Sequence, residues 1–585
     1  MLTELYRYAV DRNLSARPGF KAKKPRAYLL LSATGGFLGV DPGPEDEVFC
    51  PDIGAKALGT DKCNILVEKG EIFLTEGKPR KRAFYLNALR SGQAAEPRFG
   101  AILAALEDPI RCADMAAALA ERKVKLSTPV GFKVDGFPIE ASDAYLDWWN
   151  AFRSSLGGEG KSGKRRMRCI VTGQLTEPVS TVPKLSGLIS VGGHPSGDAL
   201  LCFDKDSFCS YGLEQGENVV VSEEAISAVN AALKDLLSRA PRPLAGAIYV
   251  HWFKQKVPDE FDLFSVLGDE QADAAQALEK ARNLVESIYR GESPADILQY
   301  EYYMLALSGA GGRVMIRSWR QGTYEQLYRS VTAWFDGLRL VGTGGVSRCK
   351  PPKLTALNSR LLSYQKNGGK LFDRIRDELS GLEPQIIAAM LQNAPLPDAV
   401  AARALNYIRS AMMDGGDDEH VREPIPDALA CQWLKLWRLR KTEKGDCAMR
   451  EELNPEYPEA AYHCGRMMAV YAAIQREAMG KNLGAGVLQR YYASACTTPA
   501  LVLGRLSQLA TYHLSKIENQ WLVDYFSDQL SEISCRIGRT APPTLNLTQQ
   551  AEFSLGYYQQ RAALNSRFHK ATDVKNEEED EDGNL

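Results

Sequence analysis

The sequence predicts an α+β protein, with a mixed α/β N-terminal region followed by an all-α C-terminal helical bundle. Three observations carry this. Short apolar runs bounded by glycine and proline alternate with helical segments over residues 1–345. Helical spacing then dominates from Leu354 onward. The last part is the most regular: Leu503, Leu506, Ala510, Leu514 and Ile517 fall on one helical face, as do Leu522, Phe526, Leu530, Ile533 and Ile537.

Taken in order, residues 2–13 read as a short helix. Residues 17–26 read as a basic loop, in which Arg17, Lys21, Lys23, Lys24 and Arg26 surround two prolines and a glycine. A strand at 27–33, a Gly35-Gly36 turn and a partner strand at 37–40 form a hairpin. Residues 63–74 (CNILVEKGEIFL) read as strand, turn at Lys69-Gly70, strand. A helix follows whose start carries Lys78, Arg80, Lys81 and Arg82. The helix dipole disfavours cations there, which points to a use other than stability. Residues 98–125 read as helix with a break at Asp108-Pro109, and 132–139 as extended. The 141–156 helix bears Tyr145, Trp148, Trp149 and Phe152, an aromatic stripe expected in the core.

The loop at 157–168 (GGEGKSGKRRMR) holds Lys161, Lys164, Arg165, Arg166 and Arg168. It is not a phosphate-binding nucleotide loop, because Ser155 stands where the pattern needs glycine. Its cations suit a phosphate backbone. Residues 198–203 read as a strand leading into FDKDSFCSYGLEQGENVVVS (203–222), which is too polar and glycine-rich for a core strand and reads as an ordered loop. That loop serves either structure or contact with nucleic acid. Ser222 caps a helix to about Arg239, with Glu223 and Glu224 in its first turn. Strands follow at 245–253 and 313–319, the second with Val314 and Ile316 on one face and Arg313, Met315 and Arg317 on the other. A polar helix is expected at 269–290, an acidic loop at 415–419, and helices at 401–413 and 428–440. A helix capped by Thr498, with Pro499 at its first position, opens the final bundle. The predicted divisions are 1–345 (divisible near 157–168), a helical connecting region at 350–448, a helical bundle at 449–570 and a disordered acidic tail at 571–585.

Composition places the chain among ordinary globular proteins: 585 residues, 45% hydrophobic and 25% charged. No apolar run reaches the length of a membrane span, and the N-terminus shows no signal-peptide pattern. The twelve cysteines include no C-x-x-C pair, as expected of reduced thiols in a cytoplasmic protein. Net charge is −2, but the tail holds seven acids and one base, and without it 70 basic and 66 acidic residues remain. Local basic patches fit that balance; a generally cationic coat does not. The six histidines lack metal-ligand spacing, and no nucleophile elbow or nuclease carboxylate pair is present. No catalytic residue, metal ligand or cofactor is therefore expected. His194 sits in an irregular loop and reads as structural.

Three segments, CIVTGQ (169–174), SVGGHPSGDALLCFD (190–204) and SFCSYGLEQGENVVVSEEA (207–225), resemble the large subunit of the type I-C CRISPR surveillance complex, Cascade. Residues 63–74 and RVMIRSW (313–319) also resemble that family. The similarity extends over nearly the whole chain and is weakest at 269–294 and in the tail. It implies a non-catalytic subunit of an RNA-guided antiviral complex, which inspects the protospacer-adjacent motif on duplex DNA, aids strand opening and holds the displaced single strand. The implied partners are target duplex and displaced strand, guide RNA, the guide-handle-binding subunit, the backbone subunits, the small subunits and a recruited helicase–nuclease.

In that setting Lys21, Lys23, Lys24, Arg26, Lys78, Arg80, Lys81, Arg82, Lys161, Lys164, Arg165 and Arg166 are candidates for phosphate neutralisation. Asn64, Lys69, Gln215 and Asn218 are candidates for base-edge contacts. Gly192 and Gly193 are candidates for close backbone approach to DNA. The C-terminal bundle resembles the complex's small subunit, and Arg490, Arg505, Lys516, Arg536, Arg539, Arg561, Arg567 and Lys570 are either ordinary solvated surface or a track for the displaced strand. In the family the small subunit is also made separately from an internal start, for which Met449, Met467 and Met468 are candidates by position. Two rival readings remain: a metal-dependent enzyme acting on nucleic acid, and a scaffold that contacts only other subunits.

Overall fold

The fold is given by a computed structural model, which describes all residues except 15–18, 54–59, 157–165, 180–181, 241–242, 244–245, 259–262, 264–278, 284–285, 287–294, 346–348, 350–351, 366–369, 415–425, 442–448, 481–485 and 583–585. Side chains of 295, 488–489 and 568–582 also fall outside the description. Two compact units result. The first comprises Met1–Ile189, Gly193–Ser238 and Gly309–Val314; the second comprises Ser190–Gly192, Arg239–Ser308 and Met315–Leu585.

The first unit opens with α1 (Leu2–Asp11), β1 (Phe20–Lys23), β2 (Ala27–Leu31), β3 (Phe37–Pro42) and β4 (Val48–Pro51). The predicted 27–40 hairpin is present, with β2 antiparallel to β3. Of the basic segment at 17–26, expected as a loop, Phe20–Lys23 form a strand: β1 pairs antiparallel with β4, Lys21 opposite Cys50, and Arg17 lies outside the described residues. The 63–74 segment also departs from expectation. Only Glu68–Lys69 is a strand (β5), and the chain turns at once into α2 (Gly70–Phe73). Gly70 packs against Leu126, and Ile72, Phe73 and Leu74 are buried in the core, which the last two residues of α2 and its right-handed C-cap achieve and an alternating strand would not.

Helices α3 (Pro79–Gly92), α4 (Phe99–Leu106) and α5 (Pro109–Glu121) follow. The break between the last two falls where Asp108-Pro109 predicts it, because the Asp108 carboxylate accepts from Ile110 N at 2.9 Å and Arg111 N at 3.4 Å. The strands β6 (Pro129–Val134) and β7 (Phe137–Pro138) complete a sheet of order β3-β2-β6-β5, with β7 on β6. β2 runs parallel to β6, Leu29 opposite Phe132. As one of two inner strands it is buried on both faces, and its AYLLL sequence fits that. α6 (Leu146–Ser155) adds Trp149, and Tyr145 precedes it; both are wholly buried, so the aromatic stripe is core as expected.

Beyond α6, β8 (Met167–Arg168) pairs with β9 (Leu175–Thr176). Residues 198–203, expected as a strand, form only isolated bridges, Leu185 to Asp198 and Ala199 to Arg313. Ser222 does cap α7 (Glu223–Ser238): its Oγ accepts from Ala225 N at 3.1 Å. α7 packs on α1, where Tyr8 donates to Asp235 at 2.6 Å.

A three-stranded sheet, β10 (Ile248–Phe253), β11 (Glu301–Ala310) and β12 (Arg313–Thr323) in that order, belongs to the second unit except for Gly309–Val314, where β11 turns into β12. β12 lacks the expected two-faced alternation, since Arg313, Met315, Ile316 and Arg317 are all exposed. The polar helix expected at 269–290 and the acidic loop at 415–419 lie largely or wholly outside the described residues. The remainder is helical, including Tyr324–Leu338, Asp398–Met413, Ala428–Lys441, Ala460–Met479, Pro499–Leu514, Gln520–Ile537 and Leu547–Asp582. Thr498 sits at the Pro499 helix start as expected, but its Oγ1 bonds back to Ser494 O at 3.1 Å and does not cap.

Ala460–Met479 is the central helix and makes its closest approach to Leu547–Asp582. Gly465 and Gly556 meet at the crossing: a Cβ on the former would overlap the Phe553 carbonyl, and one on the latter the Tyr462 carbonyl. Met449, Met467 and Met468 are all buried, the last two in the middle of the central helix. Among the described residues no helix is long and apolar enough to cross a membrane.

Candidate nucleic-acid interface

The candidate cations of the first unit differ in how far they are committed to the fold. Lys21 is exposed on β1. Lys23 donates Nζ to Val67 O at 3.0 Å, and Lys24 donates to Glu45 O. Arg26 is exposed, with its backbone paired to Pro129 and Gly43. Lys69 is exposed at the start of α2.

The second cluster is brought together more closely. Pro79 at the first position of α3 orients the chain so that Lys78, Arg80 and Lys81 line one cleft of about 540 Å³ with Thr60 and Asp61. Carboxylates partly offset the charge at this helix start. Lys78 pairs with Glu71 at 2.6 Å and Arg80 with Asp61 at 3.3 Å. The bond from Lys78 lowers the Glu71 pKa below the usual carboxylate range. Arg82 points elsewhere: it donates to Phe73 O at 3.3 Å and Leu106 O at 2.7 Å, bracing α3 against α2 and α4. Lys161, Lys164 and Arg165 lie outside the described residues; Arg166 is exposed and donates to Leu175 O at 3.2 Å.

Two of the amide candidates, Asn64 and Asn218, bond to nearby backbone. Asn64 is 7% exposed; its Oδ1 accepts from Ile53 N at 3.0 Å. Asn218 Oδ1 accepts from Ser210 N at 3.0 Å, and its Nδ2 donates to Leu213 O at 3.2 Å and Gln215 O at 3.1 Å. Gln215 is exposed and left-handed, with φ 46°. Gly192 is exposed with φ 86°. Gly193 is committed internally: its N donates to Leu188 O at 2.8 Å, and a Cβ there would strike Leu188 and Asp198. The buried Asp198 carboxylate accepts from His194 N at 3.1 Å, which accounts for His194 as a structural residue of this loop.

In the second unit the C-terminal helices carry cations beside aromatic rings. Arg505 lies 5.7 Å from the Tyr491 centroid and Lys516 4.3 Å from that of Tyr512. Trp521, 51% exposed, stacks on Tyr525 with centroids 5.6 Å apart and planes within 4°, and Arg567 lies 4.5 Å from the Tyr525 centroid. Sequence reasoning named the cations and missed the rings. Trp521 and Tyr525, four residues apart and one position off the apolar face of their helix, were the available signal. Arg490, Arg536 and Arg539 are exposed, and Arg536 pairs with Glu456. Arg561 departs from expectation: it is 4% exposed and belongs to the interior. The Lys570 side chain lies outside the description. Among the described residues no group of three or more His, Cys, Asp or Glu is placed to hold a metal ion.

The first unit thus presents exposed cations, and the second sets cations beside aromatic rings. A family model described as CRISPR-associated protein (Cas_Csd1) matches residues 2–565. The chain belongs to the Csd1 family, the large subunit of type I-C Cascade. No curated protein matches it.

Proposed function

We propose that this chain is the DNA-inspecting, non-catalytic subunit of an RNA-guided antiviral surveillance complex. It reads the protospacer-adjacent motif on duplex DNA, aids strand opening and R-loop formation, steadies the non-target strand and helps recruit a helicase–nuclease. Guide RNA pairing supplies sequence specificity. Its partners are the guide-handle-binding, backbone and small subunits.

The observation that carries the reading is the convergence of Lys78, Arg80 and Lys81 on one cleft. The carboxylate pairs of Lys78 and Arg80 are partly to largely solvent-exposed and so hold them only weakly, which leaves exchange for phosphate inexpensive. Exposed Lys21 and Lys69 add charge to the same unit. The test is a salt titration of duplex binding by the assembled particle. Replacing Lys78, Arg80 and Lys81 with alanine is expected to flatten the log–log slope by about three.

A second reading, a scaffold contacting only other subunits, has its own support: Lys78 and Arg80 already have partners within the chain. An unchanged slope together with impaired assembly of the triple variant would establish it over the first.

A further inference from the structure

Tyr211 stands clear of the folded chain, with a relative exposure of 101%. It occupies the first central position of a tight turn. Leu213 N donates to Ser210 O at 2.9 Å, and both central residues are left-handed, Tyr211 at φ 57° and Gly212 at φ 70°. Turns of that sign pattern favour Asn, Asp or Gly at this position. A bulky residue there is strained, and a fully exposed ring regains nothing from burial.

The turn is also held firmly. Asn218 clasps Ser210, Leu213 and Gln215 through both ends of its amide. Glu214 and Glu217 form a reciprocal capping box across the Gln215–Asn218 turn of 3₁₀ helix. The ring is therefore displayed on a pre-organised support, as aromatic anchors of interfaces are.

Charge identifies the kind of occupant. Within residues 203–218, Asp204, Asp206, Glu214 and Glu217 outnumber Lys205. Arg313, whose guanidinium lies 5.1 Å from the Phe208 centroid, adds one further cation. The segment that carries the turn is thus net acidic, with Asp204, Asp206 and Glu214 exposed, a balance that disfavours phosphate and favours lysine and arginine. We propose that the Ser210–Leu213 turn is a protein-docking anchor, with Tyr211 inserted into a basic-rimmed pocket of a partner subunit, where a cation can also meet its ring face. This rests on the chain being a subunit of the guide-carrying assembly, and it gives the loop a protein as occupant in place of DNA.

The test uses the purified full-length chain added to guide-RNA-loaded particles of the remaining subunits, with incorporation titrated. Tyr211→Asn suits the left-handed turn, so the free chain is expected to keep or raise its Tm while incorporation weakens about thirtyfold. Tyr211→Phe retains the ring and is expected to incorporate like wild type. If wild type joins and Tyr211→Asn joins equally well, this proposal falls alone. It also falls if the Asn variant melts lower, or if it joins normally while duplex binding by the particle is lost, which would make Tyr211 a DNA contact. If wild type itself does not join, the subunit reading falls with it.

Discussion

Asn358 donates Nδ2 to Glu383 Oε1 at 3.2 Å, and both residues are fully enclosed. Glu383 Oε2 and Asn358 Oδ1 are buried without a hydrogen-bond partner. Burial pushes the Glu383 carboxyl up to about 8, with the bond from Asn358 opposing. A charged group here would be costly, so the acid is mostly protonated at neutral pH.

The pH dependence follows from that elevation. The unfolded carboxyl titrates near 4.5. Between there and about 8 the folded state keeps a proton that the unfolded state has released, so stability falls as pH rises through this window. Glu383→Gln should match wild type near pH 5 and exceed it by a few kcal/mol near pH 9. Urea unfolding at the two pH values checks this, and equal stability at pH 9 would refute it.

Arg466, 1% exposed, is bound on three sides: Glu532 at 2.6 and 3.2 Å, Gln560 at 2.9 Å and His463 Nδ1 at 3.0 Å. Burial, with the Arg466 charge adding to it, lowers the His463 pKa, so the imidazole is neutral and can accept from the guanidinium. Glu532→Ala leaves the enclosed cation without its counter-charge. Because Glu532 is itself 34% exposed, the expected loss is about 2–3 kcal/mol, below the range for a fully buried pair. Replacing Arg466 with Met and Glu532 with Leu together should cost less than Glu532→Ala alone, as denaturant midpoints would show.

The Trp521–Tyr525 stack offers a flat face beside Arg567. Trp521→Ala is expected to weaken binding of a single-stranded oligonucleotide to the full-length chain by about 1–3 kcal/mol. Duplex affinity should stay within twofold, because the first-unit cations are untouched. Fluorescence anisotropy on both probes decides it; equal losses on the two would mean a general electrostatic effect.

Caps and periodicity were legible because they are local. Asp108 and Ser222 each bond to a backbone N–H two or three residues on, and the apolar faces of the last helices repeat within their own lengths. The amides were not legible. Asn64 and Asn218 stand in glycine-bearing segments that suit ligand contact, yet their partners are Ile53 and the Ser210 turn, and residue type does not reveal which acceptor lies within reach. Residues 63–74 misled for a related reason: burial of Ile72, Phe73 and Leu74 follows from packing around Gly70 against Leu126, a contact 56 positions away in sequence. Thr498 has the composition of a cap, but its hydroxyl found the carbonyl behind it.

Where Ala460–Met479 crosses Leu547–Asp582, main chain lies directly on main chain at Gly465 and Gly556. The meeting point of the two longest described helices is thus set by the absence of side-chain carbon at two positions, within stretches, 461–474 and 551–562, whose every residue is buried. Larger and polar side chains are accommodated beside them, while these two positions tolerate no added carbon. A library of variants covering both helices would show that asymmetry as two positions closed even to alanine, inside buried stretches where neighbouring positions still accept a residue of similar size.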